Sequence, residues 1–335
     1  MTEPWDATVD WTQCLRRLVA QTPPGRVTTC GGLALALGDR VAARWVGHWT
    51  LHHEHDADCP CHRIVRAGGL LGGYVGGSIV EKRRRLAAEG VLVSSGVVDL
   101  QRFGFDRFVT DRPLERLRQI QESVRRRIRI RPRRRMPRWI GGVDVAYPRP
   151  GVGSAAYALV DGRSGELVWS LTVRRPVLFP YITSYLTFRE LPILLALLDA
   201  VRAAGRMAEV LMVDGTGILH PRGAGIASHL GVVASMPTVG VIKKLLCGRV
   251  DVKHLKPGES RPVVFDERLI GVAVRPTAGR ESPIFVSPGH RTDVAFADRL
   301  TRRLLMGRRL PSPVDWADRL SRRPLYGLDA PEGSP

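Results

Sequence analysis

The sequence predicts a protein of two domains, a small and mainly helical one followed by an α/β domain. Its 335 residues suffice for two hydrophobic cores, since a domain takes about 100–200 residues. Residues 11–50 place apolar side chains at helical spacing, whereas residues 139–147 and 208–217 are apolar runs typical of buried strands. Residues 100–138, rich in charge and proline, separate the two regions. We therefore predict domains at residues 1–110 and 111–335.

The composition excludes several classes of protein. Hydrophobic residues make up 44% and charged residues 25%, which is ordinary for a packed protein and excludes wholesale disorder. No apolar run approaches the roughly 18 residues needed to cross a membrane. The first residues, MTEPWDATVDW, carry acids where a signal peptide would have basic residues. Five cysteines, an odd and sparse number, indicate free thiols in a reducing compartment, so we expect a cytoplasmic protein.

Positive charge is concentrated in the second predicted domain. The chain has 51 Lys and Arg against 32 Asp and Glu, a formal net charge of +19, but residues 1–110 hold only 13 basic and 11 acidic residues. Nine arginines lie between Arg125 and Arg138, in RRRIRIRPRRRMPR. Such a local excess is typical of a protein that binds a nucleic-acid backbone. A solvated charged surface is the alternative for an isolated arginine run.

Short amphipathic segments predict helices in the first domain and at the start of the second. They are WTQCLRRLVAQ (11–21), TTCGGLALALG (28–38), VAARWVGHWTL (41–51) and LERLRQIQESVRRR (114–127). Two short helices joined by a tight turn are the geometry of a helix-turn-helix, whose later helix enters a DNA groove. Any small helical bundle would show the same pattern.

Cys61 lies in the chemically most informative segment of the first domain, Cys59-Pro60-Cys61-His62-Arg63. A thiol beside a histidine, with an acid available to orient that histidine, favours a reactive thiolate. Two other interpretations remain open. Cys61 could be a buried structural thiol. The two cysteines could instead bind zinc with nearby histidines, although Cys-x-Cys is tighter than the usual zinc spacing. The histidines in question are His52, His53, His55 and His62.

Residues about 11–107 resemble the DNA-binding, active-site domain of O6-alkylguanine-DNA alkyltransferases. The family signature Pro-Cys-His-Arg lies at residues 60–63, and further matches occur at Gly25-Arg26-Val27-Thr28, Ala43-Arg44-x-Val46-Gly47 and Gly72-Gly73-Tyr74. The resemblance implies a winged helix-turn-helix fold. It also implies a single-turnover reaction in which Cys61 accepts the alkyl group of a guanine that has been flipped out of the duplex.

The same resemblance implies roles for the neighbours of Cys61. His62 would be its base through a water molecule, and Glu89 would orient His62. Arg44 would fill the gap in the base stack. Arg63 and Tyr74 are the other residues that we expect at the DNA.

Three departures from the family pattern bear on the transfer reaction. Cys30 replaces a tyrosine that helps to rotate the nucleotide, and His53 replaces an asparagine of the active-site network. One extra residue lies between Tyr74 and Glu89. A domain that senses the lesion without transferring its alkyl group is therefore the alternative, although the retained thiol favours transfer.

Carboxylates end two buried strands of the second domain. Asp144 interrupts WIGGVDVAY, and Asp214 ends AEVLMVD before a glycine turn. A carboxylate in such a place costs desolvation unless it is paired or holds a cation. With Glu190 in LTFRELP, the set offers three hard oxygen ligands suited to Mg²⁺ or Mn²⁺. Turn or cap residues are the alternative interpretation.

Residues about 111–325 resemble endonuclease V, the nuclease that recognises deoxyinosine. The resemblance implies a ribonuclease-H-like fold, in which helices flank a mixed central sheet. The matching segments are Gly142-Val143-Asp144-Val145-Ala146-Tyr147, Phe188-Arg189-Glu190, Asp214-Gly215-x-Gly217-x-x-His220-Pro221-Arg222, Ala227-Ser228-His229-Leu230-Gly231, Gly240-Val241-x-Lys243-Lys244 and Ser287-Pro288-Gly289-His290-Arg291.

The endonuclease V resemblance also assigns roles at the cleaved bond. Asp144, Glu190 and Asp214 would hold the catalytic metal. Lys243, His220 and His290 would act at the scissile phosphate or the water beside it. For His220 and His290 a structural role remains the alternative, and we take His229 and His254 as structural.

Pro180-Tyr181-Ile182-Thr183 matches the strand-separating wedge of the same family, normally Pro-Tyr-Ile/Val-Pro. By resemblance, Tyr181 would pry the duplex apart while backbone amides read the hypoxanthine edge. Thr183 in place of the second proline frees one φ angle. We therefore expect a softer wedge and a broader choice of lesion.

Together these features predict a bifunctional DNA-repair protein. One domain would remove alkyl groups from guanine, and the other would nick DNA 3′ to deaminated purines, at the second phosphodiester bond. We expect Mg²⁺, replaceable by Mn²⁺, and no organic cofactor. The expected partner is double-stranded DNA with alkylated or deaminated bases, and inosine-containing RNA is an alternative substrate. We expect a monomer that does not associate with membranes. The competing interpretation is a regulatory DNA-binding protein with an inactive nuclease fold.

Overall fold

The computed structural model divides into two compact units. Unit 1 comprises the chain up to Ile120 together with Leu178–Tyr185, and unit 2 comprises Gln121–Val177 and the chain from Leu186 onwards. The described residues are 9–56, 58–276 and 282–323. Most of the N-terminal segment MTEPWDATVDW lies outside them. Among the described residues, we find no helix with the length and apolarity that a membrane crossing requires.

Unit 1 begins with three helices, α1 (Trp11–Ala20), α2 (Cys30–Ala36) and α3 (Ala43–His52). Side chains before the first two helices cap them. Asp10 accepts the backbone N–H of Gln13, and Thr29 accepts that of Gly32, each at 2.9 Å. The structure thus confirms the three helices that the amphipathic spacing predicts.

The rest of unit 1 is built from short elements around a small core. Strands β1 (Thr28–Thr29) and β2 (Ile64–Val65) pair in parallel, and β3 (Val93–Ser94) and β4 (Val97–Val98) form an antiparallel hairpin. Helices α4 (Ile79–Ala88) and α5 (Leu100–Phe103) complete it, and α6 (Pro113–Arg127) extends into unit 2. Val27, Val65, Leu71, Leu86, Val91, Val98 and Phe103 form the core. The turn that carries Cys61 leads directly into β2 and is fixed by that core.

Unit 2 is built on a mixed sheet of eight strands, as predicted for the second domain. The spatial order of the strands is β10-β11-β12-β9-β8-β5-β6-β7. Their bounds are β5 Trp139–Arg149, β6 Val152–Asp161, β7 Leu167–Pro176, β8 Val210–Asp214, β9 Thr238–Ile242, β10 Ser260–Phe265, β11 Arg268–Val274 and β12 Ile284–His290. The pairs β5–β8 and β8–β9 are parallel and the other pairs are antiparallel.

Four helices pack against this sheet. They are α7 (Leu186–Ala203), α8 (Ile226–Val233), α9 (Val294–Leu305) and α10 (Ser312–Ser321). Helix α10 packs on β5 and β6, and α9 packs on β11 and β12. The core between them holds, among others, Val210, Met212, Val239, Val286, Phe296 and Leu300.

The strand order brings the acidic residues to one edge of the sheet. In the parallel pair of β5 and β8, Val143 lies opposite Val213, so the next residues, Asp144 and Asp214, emerge side by side. Asp214 in turn lies opposite Val241 of β9, two residues before Lys243. Chain segments far apart in the sequence therefore meet at one place.

Two candidate active sites

The first site, in unit 1, surrounds Cys61. This thiol is 1% exposed and lies in a short helical turn, Pro60–Arg63. Its sulfur lies 3.4 Å from Nδ1 of His55. The sulfur of Cys59 lies 3.3 Å from Nε2 of His53. The acceptor thiol predicted from the sequence thus contacts His55, a histidine to which the alkyltransferase resemblance gives no role.

His62 and Glu89 form the pair that the resemblance implies. Nε2 of His62 lies 2.8 Å from a carboxylate oxygen of Glu89, and both side chains are largely buried. Burial lowers the pKa of His62 although Glu89 favours its protonated form. Its Nδ1 is buried and finds no hydrogen-bond partner among the described residues. That nitrogen is therefore an unused acceptor inside the site.

Arg63 contributes to the same network from within the protein. Its guanidinium donates to both carboxylate oxygens of Glu89 and to the carbonyl of Thr22. Burial raises the pKa of Glu89, but hydrogen bonds from Arg63 and His62 outweigh this and leave that pKa below its ordinary value. Arg63 thus holds Glu89 ionised; its contact with DNA remains a prediction.

The two sulfurs of the Cys59–Cys61 pair compete for one negative charge. A hydrogen bond from Cys61 lowers the pKa of Cys59 to about 4, and the same interaction, with burial, raises the pKa of Cys61. The pair therefore ionises readily once and resists a second ionisation. The charge lies beside the imidazoles of His53 and His55.

Other predicted residues of this site differ in their surroundings. Arg44 is exposed on α3, as a side chain that enters a base stack must be. Tyr74 is 8% exposed, and its hydroxyl lies 3.4 Å from Nε2 of His55. Cys30, at the first residue of α2, is half-buried, and burial raises the pKa of its thiol.

The second site, in unit 2, contains Asp144, Glu190 and Asp214, and each carboxylate has a donor within the protein. Oγ of Ser321 donates to Asp144 at 2.6 Å, and the hydroxyl of Tyr147 donates to Glu190 at 2.9 Å. Lys243 donates to Asp214 at 3.2 Å and to Asp318 at 3.0 Å. Sequence reasoning missed the last of these acids. It lies on an ordinary amphipathic helix, α10, and no motif there signals a site.

Burial and mutual repulsion oppose ionisation of all three carboxylates together. Burial, together with the nearby Asp214, raises the pKa of Asp144 to about 6. Burial raises the pKa of Glu190 to about 8, with Asp144 and Asp214 adding to the effect. Burial also raises the pKa of Asp214, although Lys243 opposes it. Hard oxygen donors whose charges repel one another in a buried place fit a divalent cation, which would relieve that repulsion.

The carboxylates are nevertheless less tightly grouped than the residues around Cys61. Among the described parts of the chain, the one set of three or more His, Cys, Asp or Glu side chains with all ligand atoms within 4.8 Å of one another is in unit 1. It consists of His53, His55, Cys59 and Cys61. The acids of unit 2 instead interact electrostatically, as their raised pKa values indicate.

The backbone holds both histidines predicted at the scissile phosphate. Nδ1 of His220 accepts the N–H of Arg222 at 3.2 Å, and Nδ1 of His290 accepts that of Arg129 at 3.3 Å. Burial and nearby arginines lower the pKa of His290 to about 4, so its ring is neutral at physiological pH. Both side chains are buried, and their roles in the reaction remain predictions.

The predicted wedge, Pro180–Thr183, belongs to unit 1. Tyr181 is 59% exposed and Thr183 is exposed, whereas Ile182 is buried and Pro180 is half-buried. Residues on either side anchor the segment. The ring of Phe179 meets Trp11 edge-on at 4.8 Å, and the hydroxyl of Tyr185 donates to Asp39 at 2.6 Å. An exposed tyrosine on an anchored loop is consistent with a wedge; the sequence did not indicate its grouping with unit 1.

Both parts of the chain are similar to known protein families. The family model for endonuclease V matches residues 122–319, and the model for the 6-O-methylguanine DNA methyltransferase DNA-binding domain matches residues 10–91. A bifunctional methyltransferase/endonuclease of Picrophilus torridus is 31% identical over 297 residues, which cover 88% of this chain and 91% of the relative.

Solved structures resemble unit 2. Human endonuclease V is 31% identical, with a TM-score of 0.57 over 62% of this chain and 96% of the human one. Ciona intestinalis endonuclease V, solved with a DNA containing an inosine followed by a ribo-adenosine, is 26% identical, with a TM-score of 0.56 over 63% of this chain and 97% of its own. The chain belongs to the endonuclease V family, and its relatives over most of its length are bifunctional methyltransferase/endonucleases.

Proposed function

We propose that the protein repairs two kinds of damage in double-stranded DNA. Unit 2 would nick a strand 3′ to deoxyinosine, and unit 1 would transfer the alkyl group of O6-alkylguanine to Cys61. The observation that carries the nuclease activity is the set of three buried acids with raised pKa values beside Lys243. Apolar side chains would stabilise the core better than three buried acids, so a functional role explains these acids better than a structural one.

The residues of unit 2 would act as follows. Asp144, Glu190 and Asp214 would hold Mg²⁺ or Mn²⁺, which supplies positive charge at the scissile phosphate. Lys243 would contact the same phosphate, since its ammonium group already lies at Asp214 and is half-buried. His290 would orient water by donating from Nε2, because its Nδ1 already accepts the N–H of Arg129 and its lowered pKa keeps the ring neutral.

A nicking assay tests the nuclease. With Mg²⁺, the full chain should cut a duplex that carries one deoxyinosine at the second bond 3′ to the lesion and leave the undamaged duplex intact. Parallel inosine-containing RNA tests the alternative substrate, which the ribo-adenosine in the Ciona complex makes worth including. Equal cutting of damaged and undamaged duplexes would contradict the proposal.

In unit 1, Cys61 would attack the alkyl carbon of a flipped guanine. The sulfur supplies the electron pair of the new S–C bond, and the pair of the broken C–O bond stays on the guanine oxygen. The thiol proton would pass through water to His62, whose Nδ1 is unpartnered among the described residues, and the imidazolium would return that proton, through water, to N1 of the guanine anion. Glu89 would stabilise the imidazolium at 2.8 Å.

Intact mass tests the transfer. After incubation with a duplex that carries O6-methylguanine, the chain should gain the mass of one methyl group. Cys61→Ser should gain nothing, whereas Cys30→Ser, which removes another thiol of unit 1, should still gain it. A methyl group on the Cys61→Ser variant would place the acceptor elsewhere.

The DNA contacts are proposed in the same way. Helix α3 would enter the groove with Arg44, and the β3–β4 hairpin would serve as the wing of a winged helix. Domains at residues 1–110 and 111–335 would carry the two activities. Tyr181 would separate the strands at deoxyinosine, supported by its exposure on an anchored segment.

A further inference from the structure

We propose that His53, His55, Cys59 and Cys61 form a zinc-binding site in unit 1, separate from the carboxylates of unit 2. Their ligand atoms all lie within 4.8 Å of one another. Two of the separations are 3.3 Å, between Cys59 and His53, and 3.4 Å, between Cys61 and His55. Zinc–nitrogen and zinc–sulfur bonds of about 2.0–2.3 Å place the corners of a tetrahedron roughly 3.3–3.8 Å apart. The cluster needs only a small contraction to reach this geometry.

The two imidazoles are already oriented for a metal. Nδ1 of His53 lies 3.0 Å from the carbonyl of Trp49, to which it donates in the tautomer that leaves Nε2 unprotonated toward Cys59. Nε2 of His55 lies 3.4 Å from the hydroxyl of Tyr74, and Nδ1 faces Cys61. Zinc-binding histidines typically bond their second nitrogen to a carbonyl or another polar group in this way.

The chemistry of the donors selects the metal. Two thiols and two imidazoles form the Cys₂His₂ set typical of zinc, whereas Mg²⁺ and Mn²⁺ prefer oxygen. Spacing alone argued against the site, because Cys-x-Cys is tight. The structure removes this objection: the turn at Pro60 directs both sulfurs toward the histidines that follow α3.

The alkyl-transfer reaction leaves three of these four residues unexplained. It requires one thiol with a base, and His62 with Glu89 provides the base. The burial of His53, at 8% exposure, and its contact with a second thiol need another reason. Zinc would supply one. When bound, it would take the place of the Cys61 proton and hold the thiolate, the nucleophilic form of cysteine, so that the proton transfer to His62 applies to the metal-free site.

Cobalt substitution tests the site in the full chain. After dialysis against a chelator, Co²⁺ alone should produce a thiolate-to-cobalt charge-transfer band and the intense d–d bands of tetrahedral coordination. Zn²⁺ should then displace Co²⁺ stoichiometrically. Carboxylates give no sulfur band, so Asp214→Asn should leave the spectrum unchanged, which separates this site from the nuclease.

Matched variants locate the ligands. Cys59→Ser should lose at least half of the charge-transfer intensity, and Cys59→Ser/Cys61→Ser should lose all of it. Cys30→Ser and His52→Gln, which change a thiol and a histidine outside the cluster, should match the wild-type chain. His53→Gln, which keeps both sulfurs, should weaken Co²⁺ affinity at least tenfold. Circular dichroism establishes that each variant is folded. The absence of a sulfur band in the wild-type chain, or its persistence in the double cysteine variant, would overturn the proposal.

Discussion

At the scale of single residues, Asp318 shows how a half-buried cation is held. Lys243 donates to Asp318 at 3.0 Å and to Asp214 at 3.2 Å, and Asp318 also accepts from Arg322. The pKa of Asp318 is raised by burial but lowered more by its hydrogen bonds with Lys243 and Arg322, so it is ionised. It therefore acts as a positioning residue, because it fixes the ammonium group beside the predicted metal ligands.

We expect Asp318→Asn to slow nicking of an inosine duplex by roughly ten- to 100-fold, since one charged hydrogen bond is worth about 1.5–3 kcal/mol. The pH–rate profile should also shift, because Lys243 loses a carboxylate that raises its pKa. Asp315→Asn, on the same helix and paired with Arg308 and Arg319, is the control and should leave both rate and profile unchanged. A variant rate equal to wild type would show that the ion pair is not needed.

His229 makes stability depend on pH. Its ring is fully buried, both nitrogens lack hydrogen-bond partners among the described residues, and burial, with Arg127 and His220 nearby, lowers its pKa to about 4. The folded-state pKa lies below the unfolded value of about 6.5, so the unfolded chain binds the proton more readily between these values. The contribution of the neutral ring is complete above pH 6.5 and is lost as the pH falls toward 4.

Replacing this ring should make the free energy of unfolding depend less on pH. As the pH falls from 6.5 to 4, the wild-type chain should lose up to about 3 kcal/mol more of its free energy of unfolding than His229→Leu, measured by denaturant unfolding. At pH 7 the variant should be nearly as stable, because it buries no unpaired nitrogen. His254→Gln, at an exposed position, should follow the wild-type profile. Parallel profiles for His229→Leu and the wild-type chain would contradict this account.

At the scale of elements, Lys82 joins α4 to the segment that follows the turn carrying Cys61. The side chain is 1% exposed and donates to the carbonyls of Ile64, Leu71 and Gly73. These three acceptors match the three hydrogens of an ammonium group. Removal of the ammonium group leaves three buried carbonyls without a hydrogen-bond donor. This costs far more folding free energy than the loss of a surface ion pair.

Lys82→Met should therefore destabilise unit 1 by about 2–4 kcal/mol. Hydrogen exchange of peptides that span residues 60–75 should accelerate accordingly, while peptides from β5 and β8 keep their rates. Arg84→Met, on the exposed side of the same helix, should change exchange little, since its ion pair with Glu81 is at the surface. Unchanged protection in Lys82→Met would refute the role of this contact.

The sequence predicted elements better than contacts between them. Amphipathic segments defined α1, α2 and α3, and apolar runs that contain Asp144 and Asp214 located β5 and β8, because these signals are local. The contact of His55 with Cys61 depends on an irregular segment without periodicity. The contact of Asp318 with Lys243 joins residues 75 positions apart, and only the packing of α10 on the sheet produces it.

At the scale of the whole molecule, the excess of positive charge should govern affinity for DNA. Arg134 and Arg135 are exposed in the basic stretch 125–138. Each phosphate contact contributes about 0.9 to the slope of log affinity against log salt for duplex DNA. Arg134→Gln/Arg135→Gln should reduce this slope by up to about 2 and leave the rate at saturating DNA unchanged. The control Arg202→Gln/Arg206→Gln removes the same charge from exposed positions outside the basic stretch. If both double variants reduced the salt slope equally, the basic stretch would have no special role in DNA binding.

The nuclease depends most on the acids of unit 2, which we expect to bind the metal that the reaction needs. The direct measurement is the single-turnover nicking rate of an inosine duplex as a function of Mg²⁺ concentration, for the wild-type chain, Asp214→Asn and the control Asp199→Asn. We predict saturable activation of the wild-type chain and control, and a rate at least about 100-fold lower for Asp214→Asn at every Mg²⁺ concentration. Equal nicking by Asp214→Asn, or nicking by the wild-type chain in excess chelator, would contradict it.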